Sequence, residues 1–186
     1  LATVAIALVA CGSGGTLEPD AGLDAGVDAG PPPRDGGASE VVAAHNAVRA
    51  RAMPAPTPAL APMTWHDGAA ATAAAYVEGC DFRHNPAIQG TYGENIYASF
   101  GQGRVTPTDV VEDWASEAPR YDYAANRCSS GQCGHYTQIV WRASVGVGCA
   151  WKLCDTGSPF GANANPWLFW VCDYAPPGNI VGQRPY

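Results

Sequence analysis

Six cysteines fall between positions 80 and 172 of this chain, at Cys80, Cys128, Cys133, Cys149, Cys154 and Cys172, and a seventh stands apart at Cys11. Thiols at that density mark an oxidising compartment, where they persist as disulfides. Six cysteines allow fifteen pairings, so their order along the chain does not give the connectivity. Cys-x4-Cys occurs twice and Cys-x2-Cys nowhere, which argues against a zinc ribbon and against a dithiol redox motif. The expectation is a folded region held by structural disulfides, each worth about 2–4 kcal/mol.

The charge pattern narrows the function. Seventeen acidic residues stand against 10 basic ones, a formal charge of -7. A nucleic-acid binder needs a cationic face, and this balance speaks against one. Charged residues are only 15% of the chain and hydrophobic ones 47%, enough apolar material for one domain with a core.

Residues 1–11 read LATVAIALVAC. Ten apolar residues rise about 15 Å as a helix, half of a bilayer core, so the run is too short to span and reads as the apolar region of a signal peptide. A basic leader is expected upstream. Leu8-Val9-Ala10-Cys11 is similar to the bacterial lipoprotein box, which makes Cys11 the expected lipidation site and membrane anchor. Residues 12–38 carry five acids, one base and a four-residue Asp-Ala-Gly step, ending in PPPRDGG. That composition describes an acidic, disordered Gly/Ala/Pro/Asp tether.

Residues 39–186 make up one domain. Ser39 is a candidate cap for a helix through EVVAAHNAVRARA, with His45 bonded or packed locally. Asp67 starts an Ala-rich helix towards Gly79, with His66 left as a surface loop residue before it. Thr106-Pro107-Thr108-Asp109 has a capping hydroxyl, Pro at the first position and an acid in the first turn, a strong helix start. Val110, Trp114 and Glu117 would share one face of that helix. Val145–Cys154 and Trp167–Tyr174 read as strands. Gly101-x-Gly103 and Gly146-x-Gly148 lack the third glycine of a phosphate-binding loop and read as turns. A helical first half and a strand-rich second half indicate an α+β fold.

GHYTQIVW (134–141) followed by VCDYAPPGN (171–179), with HNAVR (45–49), GENIY (93–97) and VEDWASE (111–117), resembles the CAP superfamily of cysteine-rich secretory, antigen 5 and plant pathogenesis-related class 1 proteins. The likeness runs over about residues 40–186 and is nearest the plant class. Asp173 stands where Asn is more usual, and 155–166 forms a longer segment between the last two cysteines.

The resemblance implies a three-layer α-β-α sandwich around a mostly antiparallel sheet. It implies the disulfides Cys80–Cys154, Cys128–Cys133 and Cys149–Cys172. It also implies a central cleft holding His84, Glu94, Glu117 and His135. Two imidazoles with two carboxylates suit a zinc site with His84 and His135 as ligands. The same set suits an activated water, although no Ser, Cys or Thr nucleophile is picked out. Three readings follow: a monomeric extracellular module binding a lipid, a sterol or a protein partner; a metal-dependent hydrolase; and a surface interaction domain whose His/Glu network is structural. Gln138, one helical turn from His135, is expected to line the cleft. Tyr136, Trp141, Trp167, Phe169 and Trp170 are expected in the core, the cleft or a lipid groove. The expected location is the cell envelope, by a lipid anchor, or the outside of the cell.

Overall fold

The computed structural model describes residues 37–186. The apolar run 1–11, Cys11 and the tether through residue 36 lie outside the described residues. The elements are α1 (Ala38–Ala50), β1 (Thr64–Trp65), α2 (Asp67–Val77), β2 (Gly93–Phe100), α3 (Pro107–Ala115), β3 (Tyr121–Asp122), β4 (Arg127–Cys128), α4 (Gly134–Ile139), β5 (Gly146–Cys154) and β6 (Trp167–Ala175). One four-stranded sheet has the order β1-β5-β6-β2, with β1 parallel to β5 and the other pairs antiparallel. Among the described residues no helix is long and apolar enough to cross a membrane.

Period-two alternation along β6 builds both halves of the core. Trp170, Cys172 and Tyr174 face α1, α3 and α4, where they meet Val41, Val48, Val110, Trp114 and Ile139. Trp167, Phe169 and Val171 point the other way, against Ala73 and Val77 of α2. Helices therefore cover both faces of the sheet, as the resemblance implied. The α2 layer lies close because its buried residues are mostly alanine. Closeness has a requirement: a Cβ at Gly148 would overlap the backbone nitrogen of Ala70. Gly146 and Gly148 are thus strand residues, not turn glycines, kept small by α2 and by the His66 ring over Gly146. Gly101 does turn, at a φ of 66°.

Two helix starts differ from expectation. Gly37, in the left-handed region, precedes α1, and Ser39 sits inside its first turn. His66 is the N-cap of α2, its Nδ1 accepting from Ala69 N at 3.0 Å. A ring nitrogen can fill the role usually taken by a Ser, Thr, Asp or Asn oxygen. Thr106 behaves as expected: its hydroxyl accepts from Asp109 N, and Asp109 accepts from Thr106 N at 2.8 Å. That helix ends at Ala115, so Glu117 lies just beyond it, ahead of a 3-10 turn (Ala118–Arg120), and turns inward from there.

All three implied disulfides are formed, Cys80–Cys154, Cys128–Cys133 and Cys149–Cys172. Cys149 and Cys172 are register partners within the β5–β6 hairpin, well inside the 155–166 loop, so its length leaves them undisturbed. Arg49 ties the first layer together. Its guanidinium, 3% exposed, donates to the carbonyls of Ala61, Ile139 and Trp141. Burial and the nearby Arg142 lower its pKa to about 10, and it stays charged at neutral pH.

The domain made in an oxidising compartment should show no free thiol. Cys80–Cys154 closes a sequence separation of 74 and Cys128–Cys133 one of 5. In the chain-entropy model these correspond to about 4.5 and about 2 kcal/mol. Denaturant midpoints of the two double-Ser variants should follow that order, and equal midpoints would contradict it.

Candidate functional site

The four residues expected in the cleft form two histidine–carboxylate pairs, each built by a different part of the chain. His84 comes from the loop after α2 and Glu94 from β2. The ring Nδ1 lies 2.8 Å from Oε1 of Glu94, and the backbone N–H of Asn85 donates to the same oxygen at 2.9 Å. A carboxylate only accepts, so Nδ1 carries the proton and Nε2 is left for other partners. His84 is 64% exposed while the Glu94 side chain is 4% exposed. The hydrogen bond that His84 donates to Glu94 raises the His84 pKa, burial opposes it, and the Glu94 charge adds to the rise.

The second pair is better enclosed. Oε1 of Glu117 accepts from Nδ1 of His135 at 2.8 Å. Its Oε2 accepts from the backbone N–H groups of His135 and Tyr136 at 3.0 and 3.1 Å. Burial, the largest influence, pushes the Glu117 carboxyl up. The bonds from the His135 ring, Tyr136 N–H and Gln132 outweigh it, and the pKa is lowered. Beneath the ring lies Trp114, stacked at 5.9 Å between centroids. The Gln132 amide nitrogen sits 3.2 Å from the same Nδ1, but that nitrogen already donates to Glu117, so the contact is not a second hydrogen bond.

The two pairs lie on either side of an edge strand. Glu94 and Ile96 point towards α2, whereas Asn95 points towards α4 and donates to the carbonyl of His135 at 3.1 Å. Among the described residues no group of three or more His, Cys, Asp or Glu is disposed to hold a metal ion. What is offered is two imidazole Nε2 atoms, each on a ring steadied by a buried carboxylate.

Gln138 does not line this cleft. It is 1% exposed, seated between Gly93 and Gly178, donating to Ser144 Oγ and accepting from Gly178 N. It fixes the 176–179 loop to α4. The aromatics Tyr136, Trp141, Trp167, Phe169 and Trp170 are all buried.

A polar chain in the core had no separate signal in the sequence. His45 is fully buried, with Nδ1 2.7 Å from the carbonyl of Val41 and Nε2 2.9 Å from the Tyr174 hydroxyl. Burial lowers its pKa to about 4, with the Val41 bond opposing and Arg49 assisting, so the ring is neutral. Nδ1 therefore donates to Val41 and Nε2 accepts from Tyr174. Asn95 Nδ2 donates to the same hydroxyl at 3.1 Å. Thus α1 is connected through β6 and β2 to the start of α4, where His135 stands.

The cysteine-rich secretory protein (CAP) family profile matches residues 42–174. The chain belongs to this family. Basic pathogenesis-related protein 1 of Nicotiana tabacum is 40% identical over 146 residues, covering 76% of this chain and 71% of that one. The venom allergen-like protein 4 of Schistosoma mansoni shares the fold at a TM-score of 0.63 and 24% identity, over 81% of this chain and 93% of that one. NaASP2, solved with Zn2+, matches at a TM-score of 0.59 and 23% identity, over 80% and 83%. CAP proteins are mostly secreted or extracellular, which agrees with the three disulfides.

Glu117 makes a pH prediction. Its lowered carboxyl contributes stability above the ordinary carboxylate pKa, and that contribution is lost as the pH falls through the folded value. Glu117→Gln should flatten the acid side of a stability–pH curve, and Glu117→Ala should cost about 2–4 kcal/mol by stranding buried N–H groups. Denaturant titrations between pH 7 and pH 3 measure both.

Proposed function

We propose that this CAP protein is an exported binding module, anchored to the cell envelope by a lipid on Cys11, whose cleft takes a divalent cation on His84 and His135. The observation that carries the reading is the way both Nδ1 atoms are occupied by buried carboxylates. A carboxylate on one ring nitrogen fixes the tautomer and orients the other nitrogen as a ligand. Water or the atoms of a bound molecule would complete the coordination, and the zinc structure of NaASP2 supports the choice of metal. A bound zinc ion supplies a Lewis-acidic anchor for an anionic group.

Hydrolysis finds less support in the same geometry. A general base needs a free lone pair near the reacting water. Both Glu117 oxygens are taken by donors; in Glu94, Oε1 accepts two and Oε2, though without a donor, is buried away from water. Among the described residues no serine or threonine hydroxyl bonds either histidine, and all six cysteines are in disulfides.

A second observation favours an apolar ligand. A cavity of about 260 Å3 opens between α1, α3 and α4, lined by Val48, Met53, Ala115, Ala118, Pro119 and Tyr136, with Arg51 as its one charged residue. It is smaller than the ~300 Å3 at which pockets for drug-sized ligands begin. A single acyl chain suits it better than a rigid sterol.

Calorimetry with zinc tests the cleft. His84→Ala and His135→Ala should each weaken binding at least about tenfold, while His66→Asn, which keeps the α2 cap, should leave it unchanged. Because the bond to Glu94 raises the His84 pKa, protons should compete with zinc for this ring more readily than for a free imidazole, and affinity should fall on acidification. No uptake by the parent protein would remove the cation reading. Cys11→Ser in the full precursor should move the protein from the membrane fraction to the soluble one, and unchanged fractionation would remove the anchor.

A further inference from the structure

Asp173 takes no part in the hydrogen bonds of either pair, yet it lies directly beside one of them. It is the register partner of Glu94 across β2 and β6, so both side chains stand on the α2 face of the sheet. Asp173 is fully buried and neither of its carboxylate oxygens has a hydrogen-bond partner. Oε2 of Glu94, also buried, has none either. Three unpartnered buried acceptor atoms therefore belong to two residues that face each other across neighbouring strands.

The surroundings offer little to answer that charge. On its other side Asp173 pairs with Gly148, which brings no side chain. Helix α2 covers this face; its N-cap is His66, whose Nδ1 accepts from Ala69 N and whose ring packs on Tyr92, and its first residue is the exposed Asp67. Further along α2, the Tyr76 hydroxyl donates to the carbonyl of Arg83. His84 gives its Nδ1 proton to Oε1 of Glu94, not to Oε2. Tyr174, next in β6, points to the opposite face and bonds His45 and Asn95. Among the described residues no lysine or arginine pairs with either carboxylate, and no third ligating group joins them. Two buried neighbouring carboxylates do not both stay ionised under these conditions. A proton is the one partner that needs no further group.

We propose that Asp173 is a carboxylic acid in the folded protein, that its O–H donates to Oε2 of Glu94, and that it is the positioning residue holding Glu94 against His84. The pair then carries one negative charge, and all of it serves Glu94. Asp173 touches no ligand in this arrangement and acts through Glu94 alone. Its value for cation binding rests on the function proposed above; the shared proton itself does not.

Burial, with the Glu94 charge adding to it, pushes the Asp173 acid from 3.8 up to about 8, in agreement. The folded chain therefore keeps a proton that the unfolded chain loses. Between about pH 4 and pH 8 the folding equilibrium constant should fall as pH rises, by up to about tenfold per pH unit from this residue.

Carbon-13 NMR of the Asp173 carboxyl carbon in the intact chain tests the proton directly. A titration midpoint near 8 is expected, and a midpoint below 5 overturns the proposal. Asp173→Asn supplies an amide N–H for Oε2 and cannot ionise. It should fold at least as stably as the parent at pH 7 and should lack most of the parent's loss of stability between pH 5 and pH 8. Asp173→Leu, with no donor, should be less stable than the Asn variant. A parent and an Asn variant with the same pH profile would overturn the proposal, since a merely structural residue leaves that profile unmoved. Zinc calorimetry on the parent separates the two ideas: absent uptake with a midpoint near 8 removes the cation and keeps the proton.

Discussion

Everything in this domain depends on the register of β6 against its two neighbours. Cys149 faces Cys172 on one side and Glu94 faces Asp173 on the other, and those pairings follow from one alignment of three strands. A slip of one residue would turn Trp170, Cys172 and Tyr174 towards α2 and send Phe169 and Val171 towards α1. The Cys149–Cys172 bridge rules that slip out covalently. Gly148 rules it out sterically, because only a residue without a side chain fits under Ala70. The sheet is therefore fixed before any loop contributes, and the cleft inherits that precision.

Around the sheet, polar groups do what apolar packing cannot, which is to set orientation. Glu117 gathers three donors from the first residues of α4 and so pins His135 to the end of α3. The chain from Val41 through His45, Tyr174 and Asn95 holds the same helix from the other direction. Each neutral member of that chain has donors matched to acceptors, which is how polar atoms survive in a core. Asp173 and Glu94 break this pattern, and a break of that kind marks a place where a proton belongs.

Much of this was readable from residues alone, and the exceptions share a cause. Thr106-Pro107 announced its helix because capping chemistry is local. His84, Glu94, Glu117 and His135 were located by motif, and the structure brings them together as two pairs. What stayed hidden was facing. GENIYASF is packed on both sides, so it has no polar–apolar alternation to say that Glu94 looks one way and Asn95 the other. His66 hid its capping role because a histidine seldom takes it, and Gly146 and Gly148 looked like turns because nothing local records a helix lying above them. Gln138 was placed by its distance from His135 along the helix, but its burial is decided by Gly93 and Gly178, which are remote in sequence.

The same geometry says where such a chain is free to change length. One residue added within β2 would exchange the faces of Glu94 and Asn95, sending each histidine's partner to the wrong layer. That strand can accept substitutions but not a different residue count. The 155–166 loop begins beyond the last hairpin pair, Cys154 with Trp167, and Cys80–Cys154 closes the sheet's end behind it. Doubling such a loop adds only about 0.6 kcal/mol of closure entropy. Insertions are therefore cheap at the hairpin tip and ruinous at the edge strand, so new segments can be grafted onto this domain at one end while the cleft keeps its dimensions.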